Sequence, residues 1–255
     1  MARRRAVPAA VAGGCLRYVV MEVLGFGRQL EPETLTAMAE GSEGHRRFQG
    51  ELAEAALLVT AEAPLKAGEG AVRGRVDAVI HWRGDPTAVE FKTMHDAAFD
   101  TVLDRGPRYR HVAQLATYLE FGAYGRGVLV VEGRPSRRRV GFCLARDEAM
   151  GRWLRARVEE GLRWAEARRL PPREVSRYCL ECDRWRRCFR DEGEREAAVS
   201  AHPLWEPEPP LPAIWVRRLS CGAAGPGIDQ EWLSEEEGGG EAGAGRSRVL
   251  GTDGV

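Results

Sequence analysis

Two apolar extended runs, Gly74-Arg75-Val76-Asp77-Ala78-Val79-Ile80 and Ala88-Val89-Glu90-Phe91-Lys92-Thr93, stand on either side of Arg83-Gly84-Asp85-Pro86. The intervening residues are turn formers, so the two runs are expected to close as a hairpin about Gly84. Such pairing brings Asp77 near Glu90. Strand alternation puts Glu90 and Lys92 on one face and Val89, Phe91 and Thr93 on the other. Charges that interrupt apolar strands cost free energy unless they are paired or hold a metal. The plainer reading is a solvated hairpin face with a surface ion pair between Asp77 and Lys92. The choice of lysine argues against it, because among 38 basic side chains only Lys66 and Lys92 are lysine. A compact ammonium on a flexible stem differs in chemistry from the planar guanidinium used everywhere else in the chain.

Two carboxylates and a backbone carbonyl, that of Phe91, suit a hard divalent cation such as Mg2+ or Mn2+ and leave positions for water and a phosphate oxygen. Lys92 is suited to orienting or activating an attacking water and to offsetting charge on a pentacovalent phosphorus.

A chain of 255 residues is long enough to bury a sizeable core. Its formal net charge of zero hides an asymmetry. Residues 191–255 hold 13 acidic and 5 basic side chains, against 25 acidic and 33 basic in residues 1–190. A cationic body suits a polyanion, although charge alone favours nucleic acid only weakly. The start, Met1-Ala2-Arg3-Arg4-Arg5 followed by a short run with Pro8, Gly13 and Gly14, is a poor signal peptide, and no stretch approaches a membrane span. A cytoplasmic protein without membrane contact is expected.

Periodicity predicts helices near 15–24, 33–40 and 44–59, then extended stretches near 62–66, 71–82 and 87–93. A helix near 108–121, strands at 127–131 and 139–144, and a helix over 147–169 follow. Pro171 and Pro172 end the last helix. The expected organisation is a mixed α/β domain over residues 1–195 and a Pro-, Gly- and Glu-rich acidic tail over 196–255, too poor in apolar residues to order itself.

Cys179, Cys182 and Cys188 form a C-x2-C-x5-C run that brings three thiolates within reach of one metal centre, and Cys15 is the natural fourth ligand. In a cytosol-like chain such spacing points to metal ligation rather than to disulfides. Four thiolates also suit a tetrahedral structural zinc. Cys143 reads as a small buried hydrophobe and Cys221 lies in the tail. Arg184, Trp185, Arg186 and Arg187, between the ligands, offer cations and an aromatic to single-stranded DNA; Trp185 equally suits packing over the metal centre.

The pattern Gly-x-x-Asp77 followed by Val89-Glu90-Phe91-Lys92-Thr93 resembles the PD-(D/E)XK nucleases, in particular their RecB-like branch. That family's core runs helix, three strands, helix, strand, which agrees with the elements expected from residue 44 to 131. The resemblance implies a restriction-endonuclease-like α/β fold, a mixed sheet flanked by helices. It also implies that His45 is an extra metal ligand and that the helix bearing Gln114 and Tyr118, with Arg110 one turn earlier, contacts DNA.

The iron-sulfur subset of RecB-like nucleases, including the CRISPR-adaptation and AddB-type enzymes, places one cysteine before the core and three after it. By that resemblance Cys15, Cys179, Cys182 and Cys188 hold a [4Fe-4S] cluster that clasps the amino-terminal helix to the segment after the core, with zinc as the alternative. The implied activity is divalent-metal-dependent DNA hydrolysis, an exonuclease on single strands or frayed ends serving CRISPR spacer acquisition beside an integrase complex. The alternatives are a repair or recombination exonuclease partnered with a helicase, and a noncatalytic DNA-binding scaffold subunit. No phosphate-binding loop ending in Gly-Lys-Ser/Thr is present, so strand separation would come from elsewhere.

Overall fold

A long helix and a hairpin set the frame. The structure, a computed structural model, describes residues 6–28, 30, 32–65, 70–82, 84–202 and 217–220. After a short strand β1 (Val7–Pro8) come α1 (Leu16–Leu24), α2 (Pro32–Glu54), β2 (Leu58–Pro64), β3 (Val72–Arg73), β4 (Arg75–Trp82) and β5 (Asp85–His95). The chain continues through α3 (Asp96–Arg105), α4 (Tyr109–Gly122), β6 (Arg126–Arg134), β7 (Arg139–Ala145), α5 (Glu148–Glu166), α6 (Glu192–Ser200) and β8 (Arg217–Ser220).

Six strands form one mixed sheet in the order β2-β4-β5-β6-β7-β8, with β5 and β6 parallel and the other neighbours antiparallel. The expected hairpin is β4 and β5, which pair from Trp82–Asp85 to Ala78–Val89 around Gly84 at φ +81°. Helices α3 and α4 make the crossover that a parallel pair requires.

Apolar layers cover both faces. On one side Phe48 and Leu52 of α2 pack over Ile80, Val89 and Phe91, with the Phe48 and Phe91 rings stacked 4.4 Å apart. On the other, Leu115 of α4, Leu154 and Val158 of α5 and Val19 of α1 close over Ala88, Leu129 and Val131. Asp147 caps α5 by accepting from the Met150 N–H at 2.7 Å. Among the described residues no helix is long and apolar enough to cross a membrane.

Four expectations need correction. The helices read as 33–40 and 44–59 are one helix, α2, which ends at Glu54, and β2 begins at Leu58 rather than 62. Within α2, Gly44 serves close approach: a Cβ there would lie 2.8 Å from Thr93 Cγ2 on β5. Helix α3 was not foreseen. Helix α6 crosses the boundary at 196, and 217–220 pair with β7. The rest of the acidic tail, residues 203–216 and 221–255 with Cys221, lies outside the described residues, as does Lys66.

Candidate active site

Register makes the site. Ala61–Ala78 and Ala63–Val76 pair on either side of Glu62, which therefore sits opposite Asp77. One step beyond Ala78–Val89, Asp77 is in turn opposite Glu90. Three carboxylates thus form a row across β2, β4 and β5. Asp77 Oδ2 accepts the Phe91 N–H at 2.8 Å and lies 3.4 Å from His45 Nδ1. The His45 ring meets Phe91 edge-on, with ring centroids 5.4 Å apart. Burial opposes protonation of His45, but the hydrogen bond and charge of Asp77 outweigh it and raise its pKa.

Glu90 is fully buried and ion-paired with Lys92, whose side chain is 25 % exposed. Burial, helped by Asp77 and opposed by Lys92, raises the Glu90 pKa to about 7. Lys92 is held protonated: burial works against its charge, and Glu90 and Asp77 more than compensate.

Two residues of this centre escaped the sequence reading. Glu62 lies where a helix end and a strand start had been placed, so alternation carried no signal for it. Gln49 was part of an ordinary helix face. Its Nε2 donates to Asp77 O at 2.8 Å and to Glu62 Oε1 at 3.1 Å.

The donor chemistry fits a divalent cation. Ligand atoms of His45, Glu62 and Asp77 all lie within 4.8 Å of one another. The buried Glu90 carboxylate is met by Lys92 and by the Tyr118 hydroxyl. Such a concentration of carboxylates is costly unless a cation compensates it. Of the expected ligands the structure brings His45 and Asp77 together, with the Phe91 carbonyl proposed beside them; among the described residues Glu90 does not come within 4.8 Å of both, and is turned to Lys92 instead. A bound Mg2+ or Mn2+ supplies Lewis-acid polarisation of a phosphoryl oxygen. Lys92, beside Glu90, places a fixed positive charge and a proton donor at the same spot.

Gln114 and Tyr118 of α4 are brought to the site, but not as a ridge open to DNA. Gln114 Nε2 donates to Tyr118 Oη at 2.8 Å, and Tyr118 is 3 % exposed, so it presents no stacking face. Burial and then the Glu90 charge raise its pKa, so the phenol stays protonated. Arg110, whose charge is felt at Lys92, holds its guanidinium 5.3 Å over the Tyr178 ring and 3.7 Å from Glu181. It links α4 to the cysteine segment.

Cys15, Cys179, Cys182 and Cys188 line one cavity between the start of α1 and residues 173–189. Charged contacts clamp these two segments together. Glu174 accepts the Leu16 N–H at 2.5 Å and pairs with Arg157. Arg17 donates to Pro171 O at 2.9 Å, and buried Arg184 reaches Phe26 O at 2.7 Å and Glu22 at 3.0 Å. Burial pushes the Cys15 thiol up to about 11 and the Cys182 thiol up to about 12. Trp185 lines the same cavity and is covered by Arg186 and Arg195, 4.9 and 4.5 Å from its ring, so it packs over the cysteines. Cys143 packs against the α2-side core, as expected of a small hydrophobe.

No family model matches the chain, and no curated protein matches it in sequence. Solved structures do. An alkaline exonuclease from Laribacter hongkongensis, LHK-Exo, is similar at 15 % identity and a TM-score of 0.52, over 66 % of this chain and 91 % of that one. The same enzyme in complex with dAMP matches at 15 % identity and a TM-score of 0.52, over 64 % of this chain and 89 % of that one. The likeness is one of fold: this chain shares the architecture of that exonuclease.

Proposed function

We propose that this protein is a divalent-metal-dependent DNA nuclease of the RecB-like kind, an exonuclease acting on single strands or frayed ends. The observation that carries this reading is two pairs on neighbouring strands, Asp77 with His45 and buried Glu90 with Lys92, with Asp77 anchored by the Phe91 N–H. A solvated hairpin face does not bury a glutamate completely. The structural neighbour is itself an exonuclease and has been seen with a nucleotide, which supports DNA as the substrate.

In this account Asp77, Glu90 and His45 bind the cation, and Lys92 orients the attacking water and holds a proton near the scissile phosphate. Gln114 and Tyr118 position Glu90 rather than stack on bases. Arg110 keeps α4 in register with the cysteine segment. A noncatalytic scaffold is disfavoured by the complete acid, lysine and histidine set.

The four cysteines are assigned to a structural [4Fe-4S] cluster. A single zinc with Zn–S bonds of ~2.3 Å would hold its thiolates about 3.8 Å apart. Among the described residues, no three of these sulfurs lie within 4.8 Å of one another. The choice of iron-sulfur over zinc rests on the resemblance of the cysteine arrangement. The placement in CRISPR spacer acquisition, with an integrase complex as partner, rests on the resemblance of the cysteine arrangement; pairing with a helicase in repair is the other reading.

Exonuclease action is tested with end-labelled linear and circular single-stranded DNA in Mg2+ or Mn2+. The linear strand is expected to be degraded from its ends and the circle spared. Equal cutting of the circle would make the enzyme an endonuclease.

A further inference from the structure

The divalent centre described above leaves one carboxylate without a role. Glu62 stands on the edge strand β2, exposed, directly across from Asp77. Two features of its placement are unfavourable in a bare protein. Like charges facing each other across a strand pair repel. Glu62 also has φ +49°, the left-handed region that L side chains rarely adopt, in the middle of a strand. Strain of this kind persists where function needs it.

A third feature shows where the strain is directed. Gln49 of α2 donates to Glu62 Oε1 and to the Asp77 carbonyl, holding the two residues in one frame. The Glu62 carboxylate reaches within 4.8 Å of both His45 and Asp77 ligand atoms. At the other end of the row is the buried Glu90, paired with Lys92.

We propose that Glu62 is a ligand of the divalent cation, supplied by the edge strand and held toward Asp77 by Gln49. This rests on the metal-dependent nuclease reading. The left-handed turn at Glu62 swings a solvent-side carboxylate to the His45 side of Asp77, and the cation offsets the repulsion that the row otherwise carries. Glu62 thus adds an oxygen donor opposite Glu90, and Gln49 is its positioning residue.

The test is Mn2+ binding to the full chain by isothermal titration calorimetry, with thermal melts of the metal-free protein. Wild type is compared with Glu62→Gln, Glu62→Gly and Asp77→Asn. Both Glu62 variants are expected to bind Mn2+ about tenfold or more weakly, the scale seen when groups around a metal are removed. Glu62→Gly, which tolerates the left-handed φ, is expected to melt without metal at or above the wild-type temperature. Wild-type affinity in both Glu62 variants, with binding lost in Asp77→Asn, would overturn the role of Glu62 alone. Unchanged binding in all three variants would overturn the metal centre itself, and this proposal with it. A Glu62→Gly protein whose metal-free melting temperature falls would assign Glu62 to holding the fold and overturn the proposal equally.

Discussion

Replacing Lys92 with methionine is expected to lower the rate of DNA cleavage by about 10²- to 10⁴-fold, the range for a positioned proton-transfer group. It is also expected to destabilise the fold by about 3 kcal/mol, because breaking a buried pair strands the other charge. The stranded group is Glu90, which is fully buried. The double variant Glu90→Gln with Lys92→Met separates the two effects. Removing both charges together is close to neutral for stability. Its urea midpoint is therefore expected to return to or above the wild-type value while cleavage stays lost. A double variant as unstable as Lys92→Met would show that the pair does more than compensate itself.

The second large effect concerns the cysteines. Cys182→Ser is expected to abolish the brown colour of protein purified without oxygen and to lower the melting temperature. In the account above, the cluster closes the loop between Cys15 and residues 179–188. The Leu16 N–H donating to Glu174 and the ion pair Arg184–Glu22 still join the two segments, so the variant is expected to remain folded but with α1 more open to proteolysis. The measurement is the visible absorption spectrum with iron and zinc analysis. A colourless wild-type protein carrying zinc would refute the iron assignment.

The hairpin was legible because two opposite physical signals coincided in it: apolar strands that want burial, and charges that resist it. Register then followed from the turn at Gly84, and Asp77 and Glu90 fell side by side. The order of elements was legible for the same reason, since β6 and α5 carry unmixed strand and helix periods. Glu62 was not, because nothing in a sequence marks a left-handed residue inside a strand. The unity of α2 was not legible, because the packing of Gly44 against Thr93 is a long-range contact that local periodicity does not carry. Helix α6 was missed because Glu192–Ser200 is mostly charged and small. Its start is nevertheless marked by Asp191, which accepts the Glu194 N–H at 2.8 Å. The exposure of Gln114 and Tyr118 was misjudged because a shared helix face says nothing of whether that face meets water or the sheet.

The central claim is that the row at Asp77 is a metal-dependent catalytic centre for phosphodiester hydrolysis. Its most direct test is the release of nucleotides from labelled single-stranded DNA in Mn2+ by wild type and by Asp77→Asn, which keeps the size of the side chain and removes its charge. Metal-dependent release by wild type, none on chelation, and at least a hundredfold loss in the variant at unchanged fold are expected. Equal release by the two proteins, or none by folded wild type in Mn2+, would contradict it.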